Sequence, residues 1–136
     1  GARQQKEILE LRQKAHEPAF PGFSKFSSSL EELLLLPTSW RGALSAVGGV
    51  YLLVCPENGE QYVGSAQGDD GFWGRWISYV ANGHGGNARL MRRGRSNYSL
   101  AILEVASPDM SLHDIVQRER AWKIKLGSRA HGLNAN

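Results

Sequence analysis

A chain of 136 residues, 41% of them hydrophobic, is long enough for one domain with a real core and too short for two. Its single cysteine, Cys55, excludes an intrachain disulfide framework and a multi-cysteine zinc site, and no apolar run approaches the ~18 residues of a membrane span. Sixteen Lys and Arg against thirteen acids leave a net charge of +3, which permits a polyanionic partner without demanding one. The N-terminus, from Gly1 to Lys6, lacks the apolar stretch of a secretory signal, and a cytoplasmic protein with no membrane association is expected.

In chain order, residues 3–15 are polar with Ile8, Leu9, Leu11 and Ala15 interspersed, the pattern of a short amphipathic helix that Pro18 and Pro21 end. Ser28 and Ser29 stand before Glu31 and Glu32 as in a capping box, so the leucine run from Leu33 to Leu36 predicts a second short helix before Pro37. Residues 1–45 therefore read as a helical extension and linker, and residues 46–136 as the functional domain. Residues 49–55 are apolar and β-branched, Asn58 and Gly59 carry a turn signal, and residues 61–65 resume extended character, which makes a β-hairpin. A helix over about 72–82, a glycine-rich loop, a strand over 98–105 and a helix over 111–126 follow. Ser111 and Asp114 form the last helix's capping box, and Gly127 stops it. The order β-β-α-β-α predicts an α+β fold, a small three-stranded antiparallel sheet flanked by helices.

Several side chains stand out chemically. Trp73, Trp76, Ile77 and Val80 form an apolar stripe, which at about 100° per residue leaves Arg75, Tyr79 and Asn82 on the opposite face. Arg75 and Tyr79 are one turn apart. They read either as an exposed arginine stacked on a tyrosine or as a phosphate site, since guanidinium offers a rigid fork of donors. In the last helix Glu119 falls within the stripe of Leu112, Ile115, Val116, Trp122 and Leu126. An inward carboxylate needs a cation, so either Arg75 or Arg120 pairs with it or a divalent metal does; magnesium takes only one or two protein carboxylates. Tyr51 and Tyr62 share a hairpin face. A turn centred on Asn58 and Gly59 sets them roughly 13 Å apart, whereas an earlier turn or a bulge brings them together. His84, among glycines, is either solvated or close to a phosphate. Arg89, Arg92, Arg93 and Arg95 crowd one loop, which is either a solvated segment or a phosphate-contacting patch.

Gly49-Val50-Tyr51 and Tyr62-Val63-Gly64, then Arg75, Tyr79, Glu119 and Asn134, resemble the GIY-YIG nuclease family in residue type, order and spacing over about residues 48–134. The resemblance implies a metal-dependent endonuclease that hydrolyses DNA phosphodiesters. Glu119 would hold one Mg2+ or Mn2+ and Arg75 the phosphate. Tyr51 or Tyr62 would activate water, which needs nearby cations because a free phenol titrates near 10. Tyr79 would position water or phosphate, and Asn134 would fix the local structure by hydrogen bonding. His84 matches a histidine of some members only. Family members are commonly attached to a separate DNA-recognition part, so such a domain or a homodimer is an expected partner. The competing readings are a catalytically silent nucleic-acid-binding module of the same fold and an RNA-binding or interaction domain.

Overall fold

A computed structural model describes residues 17–82 and 97–134. The expected helix over 3–15, His84, Arg89, Arg92, Arg93 and Arg95 lie outside these residues. The described chain forms one antiparallel sheet with helices on both faces, an α+β fold as the sequence predicts. The sheet has four strands rather than the expected three. Strand β1 (Ser27–Ser29) lies at one edge beside β4 (Ser99–Val105), followed by β2 (Gly49–Val54) and β3 (Gln61–Ala66). Ser27, Ser28 and Ser29 pair with Ala101, Leu100 and Ser99 and so cover the outer edge of β4, while the Ser29 hydroxyl accepts from Glu32 N at 3.4 Å, as the expected cap would. The helical turn that follows is only Leu33–Leu35, and of its three leucines Leu33 alone is buried.

Helix α1 (Thr38–Ala46), which the sequence reading does not anticipate, starts directly after Pro37. Trp40 and Leu44 tie it to the core beside Phe20, Phe26 and Leu33, and α1 packs on α2 (Gly71–Asn82). Thr38, Ser39 and Gly42 are modest helix formers, and helical structure here rests on this packing rather than on propensity. Helix α3 (Leu112–Leu126) begins at the expected capping box. Ser111 Oγ accepts from the Asp114 backbone, and the Asp114 carboxylate accepts from the Ser111 backbone. The helix ends at Gly127 in the left-handed conformation, and a single turn α4 (Ser128–His131) follows.

The hairpin register decides which side chains meet. Cys55 and Glu60 close a four-residue loop through a 2.9 Å hydrogen bond, and Gly59 sits at φ 75° as its left-handed residue. Tyr51 therefore faces Gly64, and Leu53 faces Tyr62. The turn falls between Glu57 and Asn58, one residue earlier than the Asn58-Gly59 centre, so Tyr51 and Tyr62 are diagonal neighbours. Gly49, at φ 152°, leads β2 into a bulge against β4 where a side chain would strike the Glu104 carbonyl.

Alternation along the strands separates two faces. Tyr51, Leu53, Tyr62 and Ala66 join Phe72, Trp76 and Tyr79 of α2 in the main core. Val50, Val63 and Ile115 are buried on the other face, where α3 packs on β3 and β2. There the Glu104 carboxylate accepts from Arg118 Nη2 at 2.8 Å and from Trp122 Nε1 at 3.0 Å, and the Arg118 fork holds it below the usual carboxylate range. A carboxylate with a lowered folded pKa stabilises above its unfolded pKa and loses that contribution as pH falls through the folded one. Glu104→Gln is therefore expected to lower the urea midpoint at neutral pH, the gap to wild type closing as pH drops below about 4.3. A gap that stays constant on acidification would show that the ion pair is not its cause.

Candidate active site

The Tyr51 ring lies across the hairpin over Gly64, where an added Cβ would come within 2.5 Å of its hydroxyl and ring. Glycine at the end of the second tripeptide is thus what allows the tyrosine of the first to reach α2. Its hydroxyl meets the Tyr79 hydroxyl at 2.8 Å and accepts from Arg75 Nε at 3.3 Å. The guanidinium also lies over the Tyr79 ring at 5.4 Å, and the Tyr62 ring stands edge-on to Tyr79 at 6.3 Å. Four residues singled out in the sequence, Tyr51, Tyr62, Arg75 and Tyr79, are thereby brought into one cluster.

One expectation changes. Tyr79 is not on an exposed face opposite the apolar stripe: Phe72, Trp76 and Tyr79 are the buried arc of α2, while Trp73, Ile77 and Val80 are half-buried. The helix is rotated because the Tyr51 hydroxyl, fully inside the protein, requires a polar partner, and Tyr79 supplies one. Burial pushes the Tyr51 phenol well above its ordinary range, with Tyr62 adding to the shift and the Arg75 charge opposing it. Tyr79 is raised likewise, by burial first and then by Tyr51 and Tyr62. Tyr51 has no exposed surface, whereas Tyr62 retains 7%. Gly64→Ala is expected to displace the Tyr51 ring and cost about 1–3 kcal/mol, as overpacking does; an unchanged urea midpoint and near-ultraviolet tyrosine spectrum would contradict this packing.

Asn134 binds backbone, not the cluster. Its Oδ1 accepts from Val63 N and its Nδ2 donates to Val63 O, both at 2.8 Å, and Leu133 N donates to Gln61 O at 2.7 Å. The C-terminal segment thus closes the free edge of β3 next to Tyr62.

Glu119 lies on α3, which covers the other face of the sheet. Its side chain is 16% exposed and pairs with Lys123 at 3.8 Å, one turn along the helix. Lys123 is a buried cation that the sequence reading missed in favour of Arg75 or Arg120. Its 3% exposure is surprising for a lysine, but the Glu-to-Lys spacing of four residues on the packed side is a signal that could have found it. Burial lowers the Lys123 pKa, Glu119 opposes that, and Arg129 and Arg120 add to it. These four residues and Val116 line a cleft of about 410 Å3. Leu112, at the start of the expected stripe, is 63% exposed.

The family model of the GIY-YIG catalytic domain matches residues 47–134, well over half of the chain, and the chain belongs to that family. No curated protein and no solved structure gives a significant match. The family is one of endonucleases, generally dependent on a divalent metal. Among the described residues no three His, Cys, Asp or Glu side chains cluster as a metal site. Glu119 is the single carboxylate lining its cleft, with Lys123 at 3.8 Å and Arg120 and Arg129 alongside. No described helix is long and apolar enough to cross a membrane.

Proposed function

We propose that this chain is a metal-dependent endonuclease that hydrolyses DNA phosphodiesters. The observation that carries the reading is the Arg75–Tyr51–Tyr79 network, which fixes one guanidinium against two buried phenols at positions that match the family pattern. Arg75 Nε donates to Tyr51 and the guanidinium lies over the Tyr79 ring, contacts that orient its planar fork in advance to hold a phosphate and the charge that develops on it. Tyr62, the hairpin tyrosine with exposed surface, orients the attacking water and, in its phenolate form with the Arg75 cation nearby, takes the water's proton. Tyr51 and Tyr79 act as supports: each is too deeply buried to ionise readily, and together they fix Arg75. Asn134 holds the strand that carries Tyr62. Glu119 stands on the other face of the sheet, in a cleft with Arg120, Lys123 and Arg129, so the proposal that it would hold a magnesium or manganese ion, which would stabilise charge on the phosphate and the leaving 3′ oxygen, rests on its match to the family pattern and not on the arrangement around Arg75. Arg89, Arg92, Arg93 and Arg95, outside the described residues, contact DNA phosphates, and sequence selection falls to a separate recognition domain or a second copy of the chain.

Single-turnover cleavage of an end-labelled duplex tests this, with product ends mapped. The reading predicts 5′-phosphate and 3′-hydroxyl ends and no protein attached; a phosphotyrosine-linked product, or cleavage of RNA alone, would overturn it. In the same assay Tyr62→Phe should lose about 10²–10⁴-fold in rate, the scale of general-base catalysis. Tyr51→Phe should show mainly lower stability, and equal mild losses in both would reassign both rings to packing.

A further inference from the structure

Tyr62 stands where a strand is ordinarily least steady. It is the second residue of β3, which lies at one end of the sheet order and follows directly on the hairpin loop. Such an end is prone to local opening, whereas a group that orients a reacting water must be held to well under an ångström. On one side Tyr62 is paired with Leu53 of β2. The C-terminal segment occupies the other side: Leu133 N donates to Gln61 O at 2.7 Å, Val63 N donates to Asn134 Oδ1 at 2.8 Å, and Asn134 Nδ2 donates to Val63 O at 2.8 Å. The residues immediately before and after Tyr62 are thus both tied to this strap. Leu133, only 3% exposed, anchors the strap in the main core.

The strap can lie this close because residue 132 has no side chain. Gly132 has φ −128° and ψ −150°, an extended backbone, so its conformation does not call for glycine. The space does. An added Cβ would strike the Gln61 carbonyl oxygen and stand 2.9 Å from the Ser128 carbonyl oxygen. Both obstacles are backbone, and neither gives way without moving β3 or the turn α4.

Resting on the reading of Tyr62 as the residue that orients the attacking water, we propose that Gly132 is a positioning residue of the active site. By letting residues 132–134 lie against the outer side of β3, it fixes the peptide units on either side of Tyr62 and so the placement of that phenol relative to Arg75. Its contribution to the reaction passes through Tyr62. A substitution that displaces the strap should therefore cost rate only while the Tyr62 hydroxyl is present.

Single-turnover cleavage of an end-labelled duplex by the whole chain, at saturating DNA and magnesium, tests this as a double-mutant cycle of Gly132→Ala with Tyr62→Phe. Gly132→Ala alone should lose about 10–10²-fold in rate, the scale of a misplacement near an ångström, with the duplex Kd unchanged. In the Tyr62→Phe background the same substitution should cost no more than about twofold further, the scatter of independent sites. If Gly132→Ala does not fold, as judged by circular dichroism, Asn134→Ala takes its place in the cycle, since it removes both bonds to Val63 without adding bulk, and the same coupling is expected. An equal loss in both backgrounds would reduce the strap to a stabilising element and overturn the inference, as would a wild-type rate in the folded strap variant while Tyr62→Phe is impaired. A wild-type rate in Tyr62→Phe would overturn the reading of Tyr62 itself, and this inference with it.

Discussion

Glu119→Ala is expected to abolish DNA cleavage while leaving DNA binding measurable, because it removes the carboxylate that would hold the metal ion and no cation that would hold phosphate. The structure adds a consequence for stability. Lys123 is buried beside this carboxylate, and truncation to alanine removes an opposite charge next to the ammonium, a change that costs about 3–5 kcal/mol in a fully buried pair. Glu119 keeps some solvent contact, so the loss should fall below that range, about 1–3 kcal/mol. Activity must therefore be compared at a temperature where the variant is folded, as judged by its circular dichroism. Duplex binding by fluorescence anisotropy should stay within a few-fold of wild type, about the uncertainty of a single screened charge. Wild-type turnover in a folded Glu119→Ala protein would remove the role assigned to this residue.

Arg75→Ala should lose roughly 10²–10³-fold in rate at saturating DNA, the scale for deleting one donor to a developing oxyanion. Arg75→Lys should recover little of it. Lysine keeps a charge, but it cannot donate sideways to Tyr51, lie over the Tyr79 ring and still present a planar pair of donors. The Tyr51–Tyr79 hydrogen bond remains in either variant, so both should fold. Near-complete rescue by lysine would show that Arg75 supplies a point charge only, and that its contacts with the two tyrosines do not orient it for the reaction.

What the sequence disclosed follows from which interactions are local. The capping box at Ser111 and Asp114, the left-handed Gly127 and the extents of α2 and β4 are set within a few residues, and they appear as expected. The short strand of three serines is different: Ser27, Ser28 and Ser29 have little intrinsic preference for a strand and adopt one because β4 offers an unpaired edge. Tyr79 shows the same limit on a helix. Hydropathy places the apolar stripe through Trp73 and Ile77, but a hydroxyl brought across the sheet from Tyr51 turns Tyr79 inward. The turn centre moved by one residue, and the pairing register by two, because Gly59 closes a four-residue loop rather than sitting within a two-residue turn, and that shift brings Tyr62 within reach of Tyr79. In α3 the inward position of Glu119 was readable from the helical period, whereas its partner was not, since a buried lysine runs against every compositional expectation.

The central claim, that these residues form a metal-dependent DNA endonuclease, is tested most directly on supercoiled plasmid incubated with the purified chain while magnesium is titrated. The account predicts no conversion in excess chelator, nicked and then linear DNA as magnesium is added, and no conversion by Glu119→Ala at any magnesium concentration. Plasmid that remains supercoiled at every magnesium and manganese concentration, with the wild-type protein folded and bound to it, would contradict the account.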